Sequence, residues 1–363
     1  MQPVGAAPDS SYSLEFVVIG AQKGGTTTLW SYLQDHPEAW VPDRKEAPYF
    51  HSSSTMRLRT LDEHLERFGT PRRFDGVRGT VSPDYMLGTE DSPTPVMAAR
   101  IAEALPDVKV IAMLRDPVDR AVAQCAMEIR RTQREELHMR EGREERSLEQ
   151  AITESLDDAA LAQGRQAPND FNSYVAQGEY GRILGDYLEH FGRDQLLVLF
   201  TDTLANDPDG LWRSTTEFLG IDPSFPEQLE PRRLFRGGTA PRASADEIDE
   251  LVQALCDPER DHAGVLDAWS ERAAVPADAR REVELFIAGL PERGHVGTRQ
   301  RKLLSRWLKM VWNVQPAAPP PLSPATTAAL RQHYLGDAEL LREVTGLEAP
   351  WLEAWSPRLG STT

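Results

Sequence analysis

Residues 16–33 constrain the fold more than any other part of the chain. The apolar run Phe16–Ile19 predicts a buried strand. Gly24 and Gly25 end this pattern, and a run of threonines followed by apolar residues opens a helix at about Thr26. The first amide groups of a helix lack intrahelical acceptors and lie at the positive end of its dipole. A strand, a glycine turn and a helix start in this order therefore predict an anion-binding loop.

The loop differs from the ATP-binding phosphate loop in the place of its lysine. That motif has a glycine, four residues of any type, and then Gly-Lys followed by Ser or Thr. Gly20 and Gly25 have this glycine spacing, but Thr26 occupies the lysine position and Lys23 lies inside the loop. We interpret the stretch as a relative of the phosphate loop that is adapted to another anhydride. The alternative is a buried turn without a ligand.

The stretch 20–27 resembles the 5′-phosphosulfate loop of sulfotransferases that use 3′-phosphoadenosine 5′-phosphosulfate (PAPS). In that family the motif follows the first strand near the N-terminus, as it does in this sequence. The resemblance implies that helix amides, a lysine and threonine hydroxyls surround the 5′-phosphate and the bridging oxygen that becomes the leaving group. The corresponding residues here are Lys23, Gly24, Gly25, Thr26, Thr27 and Thr28.

A proline-rich segment, residues 36–50, predicts a rigid extended loop rather than a helix. Lys45 and Glu46, followed by the aromatics Tyr49 and Phe50, resemble a lysine-glutamate-aromatic segment of the heparan-sulfate type of sulfotransferase. The resemblance implies that Glu46 is the general base that takes the proton of the acceptor hydroxyl or amine. A surface ion pair between Lys45 and Glu46 is one alternative, and His51 is an alternative base.

A second buried strand, 108–114, ends in Arg115 and Asp116. Ligands of open parallel sheets collect beyond the carboxyl ends of the strands, so we expect Arg115 to share a crevice with Lys23. A guanidinium there can hold a phosphate through two parallel hydrogen bonds. The segment resembles the 3′-phosphate motif of the same family, which implies that Arg115 binds the 3′-phosphate. The structural alternative is an ion pair between Arg115 and Asp116 or Asp119.

One position departs from the family pattern. The family usually has a serine eight residues after that arginine, and this chain has Ala123. One lost neutral hydrogen bond costs about 0.5 to 1.5 kcal/mol, so we expect weakened rather than abolished binding of the 3′-phosphate.

Three more residues are assigned to the nucleotide by resemblance. Tyr180 stands where a family tyrosine contacts the adenine, although a core aromatic is an equal alternative. Arg236 and Arg242 lie in a basic stretch, 232–242, where many family members have a loop that closes over the nucleotide. A basic linker is the alternative for this stretch.

These patterns predict a single α/β domain over residues 14–355, with a central parallel sheet flanked by helices on both faces. A third strand is predicted at 195–200, and the part from about 243 onward is predicted to be helical. Residues 1–13 are expected to form a disordered tail.

The net charge of −17 disfavours a nucleic-acid partner, because counterion release needs a basic surface. Cys125 and Cys256 form no disulfide framework, and the sequence has no zinc-ligand spacing. It also lacks a signal-peptide pattern and any run of 18 apolar residues. We therefore expect a cytoplasmic protein with no membrane span.

The sequence thus predicts transfer of a sulfuryl group from PAPS to a hydroxyl or amine of a small-molecule, lipid or sugar acceptor. The product would be 3′,5′-ADP, and no metal would be required, since a sulfuryl group carries less charge than a γ-phosphoryl group. Trp40, Tyr49 and Phe50 are candidates for the wall of an apolar acceptor pocket. Two alternatives stay open: a nucleotide kinase in which Asp116 holds Mg²⁺, and a non-catalytic nucleotide-binding protein. The acceptor and the oligomeric state are not determined by the sequence.

Overall fold

A five-stranded parallel sheet lies at the centre of the fold. In the computed structural model its strands are β1 (Phe16–Gly20), β2 (Ala39–Trp40), β3 (Val77–Val81), β4 (Lys109–Leu114) and β5 (Leu196–Phe200). They lie in the order β2-β3-β1-β4-β5, and each neighbouring pair is parallel. Every residue of β1 is buried, which explains why its sequence is a continuous apolar run. The predicted parallel sheet is confirmed.

Strands β2 and β3 were not predicted from the sequence. Residues 36–50 were expected to be loop throughout, yet Ala39 pairs with Val77 and Trp40 with Arg78. Strand β3 contains Gly79, which lies opposite Phe16 of β1. A Cβ atom at Gly79 would come within 2.3 Å of the Phe16 ring. The glycine that weakens the strand pattern is therefore the residue that lets β3 approach β1.

Helices alternate with and follow the strands along the chain. Those of the described residues are α1 (Thr26–Asp35), α2 (Leu61–Arg67), α3 (Asp84–Leu87), α4 (Thr94–Ala104), α5 (Pro117–Gln133), α6 (Leu148–Glu154), α7 (Asp158–Gln166), α8 (Tyr180–Leu188), α9 (Thr201–Asn206), α10 (Pro208–Leu219), α11 (Ala245–Leu255), α12 (His262–Ala273), α13 (Pro324–Thr345) and α14 (Trp351–Trp355). Short 3₁₀ turns occur at Ala176–Gly178 and Arg193–Gln195.

The sheet divides the core into two layers because successive strand residues point to opposite faces. Val17 and Ile19 face one layer, in which residues of α4, α8 and α13 are packed. Phe16 and Val18 face the other layer, which is covered by α1 and α10. The prediction of helices on both faces of the sheet is confirmed.

The structure describes residues 13–43, 45–46, 49–50, 59–89, 93–133, 143–224, 245–257, 260–273 and 319–356. The predicted base alternative His51 and the predicted nucleotide contacts Arg236 and Arg242 lie outside these residues. Along the described ranges, no helix is long and apolar enough to cross a membrane.

The chain forms two compact units. The first consists of Met1–Pro231 and Pro320–Thr363, and it contains the sheet. The second is Arg232–Pro319, and its described helices are α11 and α12. The predicted tail over 1–13 and the predicted single domain over 14–355, with its helical part from about 243, stay predictions.

Candidate functional site

The loop that follows β1 is fastened to the end of the neighbouring strand β4. The amide of Ala21 donates to the carbonyl oxygen of Met113 at 2.8 Å, and the amide of Gly24 donates to Ala21 O at 3.0 Å. A Cβ atom at Gly24 would lie 2.3 Å from the same Met113 oxygen. Only glycine lets the loop come this close to β4, so packing against β4 is enough to require glycine at position 24.

The loop ends at the start of α1 in amide groups that have no hydrogen-bond acceptor among the described residues. Gly25 has a left-handed φ of 99°, and its carbonyl accepts from the amides of Thr28 at 2.9 Å and Leu29 at 3.3 Å. No acceptor within the described part of the chain is bonded to the amides of Gly25, Thr26 and Thr27. These groups are the kind of donor set that a phosphate takes at a helix N-terminus. Thr26 and Thr28 are buried and Thr27 is half-buried, all in the first turn of α1.

Lys23 lies within a cationic environment. Its Nζ atom is 4.0 Å from the Met127 sulfur on α5, and its backbone φ of 67° is also left-handed. Burial, as the largest cause, and nearby positive charges together lower the pKa of Lys23 to about 8, while Glu128 opposes them. The cations, in order of effect, are Arg130, Arg115 and Arg131. Arg115 is therefore close enough to Lys23 for its charge to act on the ammonium, and the predicted shared nucleotide crevice stays a prediction.

Arg115 directly follows β4 and forms an exposed ion pair that a phosphate could replace. Its guanidinium Nη2 lies 3.1 Å from Oδ2 of Asp119, which confirms one structural alternative considered for this arginine. The two side chains are 31% and 63% exposed. An ion pair this accessible contributes about 0 to 1 kcal/mol, so a phosphate can displace the carboxylate at little cost.

Asp116 holds the beginning of α5. Its Oδ1 atom accepts from the amides of Val118 at 2.8 Å and Asp119 at 3.3 Å, and Oδ2 accepts from the Trp355 indole N–H at 2.8 Å. Burial raises the pKa of this carboxyl. Both of its oxygens are therefore used as acceptors inside the protein. Among the described residues, no group of three or more His, Cys, Asp and Glu side chains is placed to hold a metal ion.

Glu46 lies near the carboxyl end of β3. Its amide donates to Val81 O at 3.2 Å, and Val81 is the last residue of that strand. The Glu46 side chain is 50% exposed and lies 3.1 Å from the Lys45 ammonium. Since β3, β1 and β4 are adjacent, their carboxyl ends bring Glu46, the loop and Arg115 to one edge of the sheet.

Tyr180 is fully buried at the start of α8 and donates to Arg115 O at 3.0 Å. Burial raises its pKa. Asp337 of α13 fixes the same helix start by accepting from the amides of Gly181 at 2.9 Å and Arg182 at 3.0 Å. Tyr180 thus supports the backbone of Arg115, in agreement with its core alternative, and its predicted contact with adenine stays a prediction.

Ala123, which replaces the usual serine of the family, lies on the face of α5 that Lys23 contacts. Ala123, Met127 and Arg130 are spaced by four and three residues on α5, so they share one face of that helix. Met127, on this face of α5, contacts Lys23. A hydroxyl at position 123 would therefore be added to the same side of α5 as the predicted nucleotide site.

The prediction that Tyr49 and Phe50 line an acceptor pocket is wrong. Both are buried, at 6% and 0% exposure, and the Phe50 ring lies 5.8 Å from that of Tyr85. Together with Trp40 they line a small cavity near Gly79, with room for about one water. This space is too small for an acceptor, so these aromatic side chains stabilise the core.

Two further side chains at this edge were missed by the sequence analysis. Thr201, the first residue of α9, places its hydroxyl oxygen 2.6 Å from Gly24 O and 3.0 Å from Leu114 O. Trp355 reaches Asp116 from the other end of the chain. Neither residue belongs to a local motif, and no pattern in the sequence connects either to its partner.

The sequence matches a known family over more than half of its length. The family model described as a sulfotransferase domain matches residues 14–234, and the chain belongs to this family. The resemblance seen in the sequence is therefore confirmed at the level of the family.

Curated relatives match parts of the chain. The membrane-associated sulfotransferase kil1 of Dictyostelium discoideum is 34% identical over 109 residues, which cover 30% of this chain and 22% of that protein. The heparan sulfate glucosamine 3-O-sulfotransferase 3A1 of Mus musculus is 26% identical over 206 residues, which cover 56% of this chain and 45% of that protein. The chain thus spans less than half the length of each of these relatives.

Among solved structures, a sulfotransferase from Alicyclobacillus acidocaldarius is 26% identical with a TM-score of 0.47. The match covers 75% of this chain and 100% of that one.

Proposed function

We propose that the protein transfers a sulfuryl group from PAPS to a hydroxyl or amine of a small-molecule, lipid or sugar acceptor and releases 3′,5′-ADP. One observation carries the proposal: the Lys23 loop and Arg115 lie at one edge of the sheet, close enough for their charges to interact. A ligand with phosphates at its 5′ and 3′ positions needs two separate cationic contacts of this kind.

The donor fits the groups that are present. The amides of Gly25, Thr26 and Thr27, which have no acceptor among the described residues, suit the 5′-phosphate. The guanidinium of Arg115 suits the 3′-phosphate. At neutral pH Lys23 is mostly protonated, because its lowered pKa is still about 8. It can therefore place a positive charge beside the phosphate oxygen that leaves.

In the proposed reaction, the carboxylate of Glu46 accepts the proton of the acceptor O–H or N–H group. A bond forms between that oxygen or nitrogen and the sulfur, while the bond from sulfur to the bridging phosphate oxygen breaks. Lys23 and the loop amides stabilise the negative charge that grows on this oxygen. The half-exposed side chain of Glu46 supports its proposed role as general base, since an acceptor can reach its carboxylate directly.

The kinase alternative is disfavoured by Asp116. Its oxygens accept hydrogen bonds from two amides and the Trp355 indole, so holding Mg²⁺ would break the start of α5. Ala123 favours a second candidate, a protein that binds 3′,5′-ADP without catalysis, because one predicted 3′-phosphate contact is missing.

Calorimetric titration tests the nucleotide part of the proposal. We expect 3′,5′-ADP to bind without added metal and more tightly than ATP. Tighter binding of ATP that requires Mg²⁺ would contradict the proposal and support the kinase alternative.

Transfer of ³⁵S from labelled PAPS to a panel of alcohols, amines, lipids and sugars tests catalysis. We expect Glu46→Gln to lower turnover by about 10²-fold or more and to change the affinity for 3′,5′-ADP by less than about twofold. Glu66→Gln is the matched control, because Glu66 also forms an exposed ion pair, with Arg72 at 3.9 Å. Equal losses in both variants would refute the role of Glu46. Binding of 3′,5′-ADP with no transfer to any acceptor class would favour the non-catalytic candidate.

A further inference from the structure

The hydroxyl of Thr201 lies between two parts of the site that are far apart in sequence. Its oxygen is 2.6 Å from Gly24 O in the loop and 3.0 Å from Leu114 O at the end of β4. These partners are 177 and 87 residues away. One hydroxyl proton is thus within reach of both the segment that carries Lys23 and the strand that carries Arg115.

The contact with Gly24 controls the direction of a loop amide. In a planar trans peptide the C=O and the following N–H point in opposite directions. When the Gly24 carbonyl is held towards Thr201, the Gly25 N–H is turned away from it. That amide has no acceptor among the described residues, so Thr201 orients a donor that is available to an anion.

The contact with Leu114 acts on Arg115 in the same way. Leu114 O belongs to the peptide unit that supplies the Arg115 N–H, and the next carbonyl, Arg115 O, accepts from Tyr180 at 3.0 Å. The two peptide units that flank Arg115 are therefore held by two different hydroxyl groups. This arrangement fixes where the guanidinium side chain starts.

An ordinary helical threonine does not make such contacts. Thr215 in α10 is typical, because its hydroxyl donates at 2.9 Å to Leu211 O, four residues earlier in its own helix. The hydroxyl of Thr201 is bonded instead to two segments outside α9. A purely local role in α9 does not account for it.

We propose that Thr201 is a positioning residue that sets the spacing between the 5′-phosphate loop and Arg115. The inference rests on the proposed function, because it assumes that these two groups bind the two phosphates of one nucleotide. It predicts that Thr201 favours ligands with phosphates at both positions over ligands with the 5′-phosphate alone.

The test compares 3′,5′-ADP with 5′-AMP by calorimetric titration of three variants. Thr201→Val keeps the shape of the side chain and removes the hydroxyl, Thr201→Ser keeps the hydroxyl, and Thr215→Val removes a buried hydroxyl elsewhere. We expect Thr201→Val to weaken 3′,5′-ADP binding by about 3- to 10-fold and 5′-AMP binding by less, so that the preference between them falls. Thr201→Ser should restore both affinities to within about twofold of those of the unmodified protein.

The outcomes separate the inference from the proposed function. If the unmodified protein binds no 3′,5′-ADP, the proposed function fails and this inference fails with it. If it binds 3′,5′-ADP but Thr201→Val keeps the preference over 5′-AMP, only the positioning role is overturned. The role is also overturned if Thr215→Val lowers the preference as much, because the effect would then be general destabilisation.

Discussion

The lowered pKa of Lys23 predicts a pH-dependent affinity for 3′,5′-ADP. Burial and neighbouring arginines lower this pKa from 10.5 to about 8, so the ammonium of the free protein loses its proton within an accessible pH range. A bound phosphate supplies negative charge and raises the pKa again. Only the protonated form is ready to bind, so affinity falls as pH rises through about 8.

The size of the effect follows from the fraction of protonated Lys23. With a pKa of about 8, this fraction is about nine-tenths at pH 7 and about one-tenth at pH 9. We therefore expect the affinity for 3′,5′-ADP to fall about tenfold between these pH values. The ligand itself contributes little, because its phosphates have second pKa values of about 6 and are ionised throughout.

Calorimetric titration at pH 7 and pH 9 measures this fall. Repeating the pH 9 titration in two buffers with different ionisation enthalpies should show uptake of about one proton per ligand. Lys23→Arg is the control, because its guanidinium stays charged and its affinity should be the same at both pH values. Deprotonation of Lys23 does not control binding if the affinity of the unmodified protein for 3′,5′-ADP falls less than about twofold, or if Lys23→Arg shows the same fall.

Substitutions at three further positions test the site. Gly24→Ala should lower the melting temperature and weaken 3′,5′-ADP binding by about tenfold or more, because its Cβ would lie 2.3 Å from Met113 O. Unchanged binding would contradict the close approach of the loop to β4. Trp355→Phe removes the indole hydrogen bond to Asp116, so calorimetry should show about 2- to 10-fold weaker binding, with Trp355→Ala weaker still. Ala123→Ser should tighten 3′,5′-ADP binding by about 2- to 10-fold and leave 5′-AMP unchanged; equal tightening of both would place position 123 away from the 3′-phosphate.

The parts of the site that could be predicted are those with a local pattern. Strands β1 and β4 are buried on both faces and carry continuous apolar runs, so the loop after one and Arg115 after the other could be placed at the same edge. Strand β2 has two residues and β3 contains Gly79, so neither has such a run. Their pairing depends on tertiary contacts that a short sequence window does not contain.

The contacts that hold the site in shape could not be predicted for a different reason. Thr201 and Gly24 are 177 residues apart, and Trp355 and Asp116 are 239 apart. A threonine hydroxyl or an indole N–H can serve many acceptors, and the residue type does not specify which one. Tyr49 and Phe50 show the opposite error, because aromatic side chains that suit a pocket equally suit a core.

The indole contact of Trp355 has a consequence for how the protein is made. Asp116 leaves the ribosome 239 residues before the tryptophan that bonds to it. At about 5 to 20 residues per second, this interval lasts roughly 10 to 50 s. The nascent chain therefore carries β1 and β4 for most of translation without the hydrogen bond from Trp355 to Asp116. We expect the full affinity for 3′,5′-ADP that we propose only in chains that have been completed through α14.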